Sequence, residues 1–368
     1  MAKYITEVIF MQRDFHHTVI YVLCRLAGMK SKFAEIVAYC SLQVDHASFD
    51  QALKFKDGDS FWQTRTAHHK LSSRIFDVSD AFDVWLPFHF LPRGGKKCPS
   101  LGLVTHPEGA SLKLLKEDVI GQGATELGLY RLGIFLHVYA DSFAHQDFKG
   151  YYDEYNNIVL LAGRKLKSKR RLFWEKLLQS LSFLAPIGHG QALQNPDIPF
   201  AHWSYCRPGG KEIAVNNLEE RFIPAVDRIY DFLVDFLAAN PRYYGVPPKN
   251  SFAENREKVI ALLKVGGSSF GRHHMWMERI GENYFNFHDF DQIDAGLDYG
   301  RREWFKNAVS TVRCSGLKRV ETLTYNFYEF EKRAGFADSN WVKFMRAAGQ
   351  HRYRVLREIL PSCGLDIA

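Results

Sequence analysis

The stretch Leu132-Gly-Ile-Phe-Leu-His-Val-Tyr-Ala-Asp-Ser-Phe-Ala-His145 constrains this chain more than any other. It reads as apolar helix, yet His137, Asp141 and His145 interrupt it at i, i+4 and i+8. Each step of four residues advances a helix by about 40° beyond a full turn, so the three side chains leave from one face. Their neighbours are Leu132, Ile134, Phe135, Leu136, Val138 and Phe143. Ionisable groups in such surroundings are costly unless they are paired or hold a cation. Two imidazoles and a carboxylate on one stripe are the donors that zinc and related ions prefer. The plainer alternative is a polar stripe that only caps or hydrogen-bonds.

Further donors fall before and after that helix. Asp14-Phe-His-His17 opens the first helical pattern, and Asp45-His46 lies within the second. His68-His69 and His89 sit in a loop-rich stretch, and His189 follows Pro186-Ile-Gly188 and precedes Asp197. Singly, each reads as a satisfied core or surface group. As an ordered series they point to a cluster fed by several elements.

Helical periodicity dominates the rest. Helices are expected over about 16–27, 31–52, 123–148, 167–185, 216–239, 252–265, 299–313, 316–334 and 338–359, with strand alternation nowhere sustained. Pro87, Pro92, Gly94-Gly95, Pro99 and Pro107 mark 57–110 as a long loop-rich insertion. The expectation is an all-α, multi-helix bundle in a single domain over 1–368. Residues 10–205 form the metal-site core, and 211–368 complete the bundle or stand as a subdomain.

Four motifs carry a resemblance: Asp14-Phe-His16, Gln43-Val-Asp45, Phe88-His-Phe-Leu-Pro92 and Leu136-His-x-x-Ala-Asp-x-x-Ala-His145. Together they resemble an uncharacterised bacterial domain family. Their order is distantly similar to the zinc-dependent phospholipase C and single-strand nuclease superfamily, an all-α fold around a zinc cluster. The resemblance implies His16, Asp45, His68 or His69, His137, Asp141, His145 and His189 as metal ligands. Asp141 or Asp45 would bridge ions and serve the chemistry. Asp14 and His89 would orient ligands from behind, although His89 can also fill a vacant ligand position. That superfamily's amino-terminal Trp ligand and final His-x-x-x-Glu pair have no counterpart here, since the carboxylate nearest after His189 is Asp197. The expectation is therefore one to three ions of zinc, or of manganese or iron.

The function expected is a metal-dependent hydrolase, a phosphodiesterase acting on a phospholipid or a nucleic acid. Asp45, or Asp147 beyond the helix, would guide the attacking water. Arg93, Lys96 and Lys97 follow the His89 motif and are candidates to meet an anionic phosphoester. Arg164-Lys-Leu-Lys-Ser-Lys-Arg-Arg171 reads as a solvated face or as a contact with a membrane surface or nucleic acid. The net charge of 48 − 41 = +7 permits such a partner without requiring one. Two alternatives stand beside this reading. A helical His-Asp-class phosphohydrolase needs an adjacent pair, which only His288-Asp289 offers. A non-enzymatic interaction protein with a structural metal site would normally use cysteine. The six cysteines are scattered without a C-x-x-C pair, as expected of reduced thiols. With no signal-like leader and no apolar run long enough to span a bilayer, the location expected is cytoplasmic.

Overall fold

The computed structural model describes residues 13–68, 78–95, 102–163, 186–313 and 328–365. Helix α1 opens with the π-wound turn Asp14–Val19 and continues as Ile20–Leu26, and α2 spans Ser31–Gln43. Strands β1 (Ala52–Lys54) and β2 (Ser60–Trp62) pair antiparallel. The π-wound α3 (Ala81–His89), α4 (Ala110–Gln122) and α5 (Gly128–Ala144) follow. Strands β3 (Val159–Ala162), β4 (His202–Cys206) and β5 (Glu212–Asn216) form an antiparallel sheet with β4 in the middle. Helix α6 starts with a π-wound turn, Leu218–Phe222, and runs on as Ile223–Ala239. Next come α7 (Phe252–Leu263), α8 (Ser269–Gly281), α9 (Gln292–Ala295) and α10 (Glu303–Ala308). Strands β6 (Val309–Arg313) and β7 (Tyr328–Lys332) pair antiparallel, and α11 (Asn340–Arg354) continues through Val355–Ile359. No helix among the described residues is long and apolar enough to cross a membrane.

The fold is therefore mixed α and β rather than all-α, because three antiparallel sheets accompany the helices. The strands have three to five residues, too short for alternation to stand out against the helical background. Of the expected helix 299–313 only Glu303–Ala308 is helical, and Val309–Arg313 is strand. The expected helix 316–334 ends in the strand Tyr328–Lys332, its residues 316–327 lying outside the described residues. Val309-Ser-Thr-Val is rich in β-branched residues, and Tyr328-Glu-Phe-Glu-Lys alternates with a period of two, so both favour strands. Val309 and Phe330 turn into a core shared with Trp341 and Phe344 of α11. In β4, Trp203 and Tyr205 stack at 5.0 Å and pack with Phe90 and Phe148. The second helix ends at Gln43, which leaves Asp45 in a turn beyond it. The expected helix over 167–185 lies outside the described residues.

Every residue of α5 is buried. Its closest neighbour is α2: a Cβ at Gly133 would lie 2.4 Å from the Cys40 Cβ and 2.6 Å from the Val37 carbonyl oxygen. Only glycine lets these two backbones approach so nearly. Gly133→Ala should gain about 1 kcal/mol of helix propensity but lose more to overpacking, a net cost of about 1–2 kcal/mol. Urea unfolding should show it as a lower midpoint at an unchanged slope.

Candidate metal centre

The three ionisable residues of α5 project together, as their spacing requires, and none is more than 1% exposed at the side chain. Close packing of α2 on α5 brings the Ser41 carbonyl to 2.8 Å from His137 Nδ1. A carbonyl can only accept, so Nδ1 carries the proton and Nε2 presents its lone pair in the neutral ring. The same arrangement recurs around the cluster. His89 Nε2 donates to the Thr66 carbonyl at 2.8 Å and His145 Nδ1 to that of His89 at 2.9 Å. His189 Nδ1 donates to the Leu193 carbonyl at 3.0 Å. Anchoring the remote nitrogen of an imidazole in this way fixes the tautomer and orientation that a metal ligand needs.

His89 reaches the cluster because α3 is π-wound, a form of helix frequent at functional sites. Pro87 sits inside it, and the Pro87 carbonyl is satisfied by His351 of α11 at 2.8 Å. His16 arrives from the π-wound start of α1 and stacks on His137, ring centres 4.0 Å apart. His189 follows Gly188, whose φ of +54° and contact with the Phe90 ring both favour glycine.

Three donor groups result: His16, Asp45 and His137; His89, His137 and Asp141; and His145, His189 and Asp197. The second is the tightest. His89 Nδ1 to Asp141 Oδ2 is 3.1 Å, His137 Nε2 to Asp141 Oδ2 is 3.2 Å, and His137 Nε2 to His89 Nδ1 is 3.2 Å. Donors sharing one tetrahedral zinc stand about 3.3 Å apart, from metal–nitrogen bonds of about 2.0–2.1 Å. The triangle thus has the size of one face of such a site. In the third group, Asp197 Oδ1 lies 3.0 Å from His145 Nε2 and 3.6 Å from His189 Nε2. Asp141 Oδ1 faces His16 Nε2 at 3.2 Å without hydrogen-bond geometry, and Asp45 Oδ2 is buried with no hydrogen-bond partner among the described residues. Carboxylate oxygens buried among converging imidazoles without a hydrogen-bond partner among the described residues fit a cation, so these groups can hold a metal ion.

Charge supports the fit. Burial would raise the Asp141 carboxyl, but His145 and His137 beside it hold it well below the usual carboxylate range. Burial would lower His145, yet Asp141 and Asp197 push it up to about 9. His16 is raised as well, burial being outweighed by Asp141. Farther from that balance, burial takes His189 down to about 4. The carboxylates draw positive charge into a dry site, and protons and metal ions compete for it.

The structure brings together His16, Asp45, His137, Asp141, His145 and His189, and turns His89 into the cluster instead of behind it. His68 joins no donor group among the described residues. It lies on Asp80 at 3.1 Å and stacks on Trp85, and burial lowers it to about 3. Asp14 supports no ligand through its carboxylate, which pairs with Arg272 at 2.8 Å. Arg93 is exposed, whereas His69, Lys96, Lys97 and the basic run 164–171 lie outside the described residues. His288 is exposed and Asp289 is paired with Arg25, and that dipeptide joins no donor group among the described residues. Asp197 was missed as a donor, because eight residues and two short 3₁₀ turns separate it from His189. His273 bonds His17 at 3.0 Å, and Trp276 is core.

The sequence matches the family of unknown function DUF6765 over residues 11–359. The chain belongs to that family. Its model spans the whole cluster, from His16 to Asp197, and α1 to α11. No curated protein and no solved structure gives a match.

Proposed function

We propose that this chain is a metal-dependent hydrolase acting on phosphodiesters of a phospholipid or nucleic acid. The observation that carries the reading is the donor set: imidazoles anchored on backbone carbonyls, converging on Asp141 and Asp197, with no cysteine among them. Structural zinc sites usually include cysteine and are closed by four ligands, whereas seven or more histidines and aspartates suit a multi-ion catalytic cluster. The motif order, distantly similar to that of the zinc-dependent phospholipase C and nuclease superfamily, favours phosphoester chemistry and zinc.

A divalent ion in such a site lowers the pKa of bound water to roughly 7 and polarises the phosphoryl oxygen. The chain's own residues do the rest. Asp141, with Oδ2 in the tight triangle and Oδ1 toward His16, spans two donor groups. Asp45, whose Oδ2 has no hydrogen-bond partner among the described residues, accepts a proton from the attacking water. His189, with 15% of its side chain exposed, stands at the most open edge of the ligand set. The near-complete burial of the other ligands favours a second reading, a structural metal site.

One assay separates the two. Zinc-loaded protein should hydrolyse bis(p-nitrophenyl) phosphate, and His137→Ala should lower the rate by about a hundredfold or more, as expected when metal is lost from such a site. A wild type that retains zinc but turns over no phosphodiester leaves the structural reading in its place.

A further inference from the structure

His189 and Asp197 reach the cluster on a segment whose only helical pieces are the three-residue turns Gly190–Ala192 and Asn195–Asp197. Turns so short do not fix a side chain by themselves. Gln191 ties the first of them to the residues before β3: it accepts from the Ile158 N–H at 2.9 Å and donates to Asn157 Oδ1 at 2.9 Å. The second, which carries Asp197, is gripped by Asn217. Nδ2 of this fully buried amide donates to the carbonyls of Asn195 at 2.6 Å and Ile198 at 2.8 Å, on either side of Asp197. The Pro196 carbonyl, at 3.3 Å, shares one of the two hydrogens. Oδ1 accepts from Trp203 Nε1 of β4 at 2.9 Å. An indole nitrogen can only donate, which fixes the amide with its donors toward the turn. The residue also stands at the N-cap position of α6, where an asparagine ordinarily serves its own helix. Here its side chain makes no cap bond and reaches across to the turn instead.

We propose that Asn217 is the positioning residue of the ion site formed by His145, His189 and Asp197, setting its affinity through the turn that carries Asp197. The inference rests on the metal-centre reading and deepens it. Asp197 Oδ1 stands 3.0 Å from His145 Nε2 and 3.6 Å from His189 Nε2. Donors that share an ion have to be held to within about 0.5 Å. His145 is fixed at the end of α5, with its Nδ1 on the His89 carbonyl. The distance left to be set is therefore that of Asp197, and Asn217 sets it from a base between β5 and α6, where its backbone N–H is bonded to the Ala201 carbonyl at 3.1 Å. Without the amide, the buried residues Asn195 and Ile198 lose this donor and the turn is free to shift. The triangle of His89, His137 and Asp141 is held by α3 and α5 and does not depend on that turn. The competing account is that Asn217 staples β4 to α6 and serves stability alone.

Zinc content and zinc affinity should be measured by competition with a chromophoric chelator for wild type, Asn217→Ala, Asn217→Gln, Asp197→Ala and the double variant Asn217→Ala/Asp197→Ala. Asp197→Ala should lose the ion of this site and keep that of the triangle. Asn217→Ala should weaken the same ion about tenfold or more, and Asn217→Gln, which keeps the amide, should weaken it less. Adding Asn217→Ala to Asp197→Ala should change zinc binding no further, because its effect runs through the carboxylate already removed. Zinc affinity equal to wild type in Asn217→Ala, with only a lower urea midpoint, overturns the proposal and leaves the staple. So does a further loss of zinc in the double variant, and so does an Asp197→Ala protein that holds zinc as the wild type does. A wild type that takes up no zinc instead fails the metal-centre reading itself. Should Asn217→Ala not fold by circular dichroism, the comparison of wild type with Asn217→Gln decides.

Discussion

Asp141→Ala is expected to empty the metal centre. The Asp141 carboxylate lies 3.2 Å from His16, 3.1 Å from His89, 3.2 Å from His137 and 3.7 Å from His145, so it touches four imidazoles of the cluster at once. Loss of a partner behind a ligand already weakens metal binding by about 10–100-fold, and loss of this ligand should exceed that. Elemental analysis of protein purified in parallel should find near-stoichiometric zinc, manganese or iron in the wild type and less than about a tenth of it in the variant. Stability should follow. An ion present at about a thousand times its dissociation constant adds about 4 kcal/mol, which the variant forfeits. Metal should therefore raise the melting temperature of the wild type by several degrees and leave Asp141→Ala unmoved. A wild type that binds no metal after reconstitution would remove the centre, and with it the case for hydrolysis.

Much of that centre was legible because its heart is local. His137, Asp141 and His145 share a helix face by arithmetic alone, and the apolar residues between them make burial certain. His16, Asp45 and His189 were reached through order along the chain, and the structure gathers them. What failed depends on geometry with no local signature. Asp197 comes in on 3₁₀ turns. His89, left open between ligand and support, is swung inward by a π-wound helix that holds a proline. His68 occupied the right place in the series, but Asp80 and Trp85 offered its ring a site of its own. Asp14 looked like a companion of His16, yet its partner Arg272 is 258 residues away. The strands escaped for another reason: packing against Phe90, Phe148 and Trp341 selects them, and in pieces of five residues propensity is a weak guide.

Asp294→Ala should strongly destabilise the fold from a position away from the cluster. Arg25 of α1 is 1% exposed and donates from Nε to Asp294 Oδ1 at 2.9 Å and from Nη2 to Oδ2 at 3.1 Å. Tyr21 donates to the same carboxylate at 2.7 Å, and Asp294 is fully buried. Removing it leaves a guanidinium and a hydroxyl in a dry interface, with Asp289 as the remaining counter-charge at 2.7 Å. One-sided loss of a buried ion pair costs about 3–5 kcal/mol, and the surviving Asp289 argues for the lower end. Asp294→Asn, which keeps an acceptor for Tyr21, should lose less. Urea titration of the metal-free proteins measures both. The metal should be indifferent to this change. Arg25 lies nine residues beyond His16 on α1, about 13 Å along the axis, and the donors around His16 come from α5 and from the turn after α2. Equal zinc content at lower stability would mean that the Arg25 pair holds α1 to the carboxy-terminal half while α5 holds the ion. A parallel fall in both would mean that the position of His16 is set from the far end of its own helix.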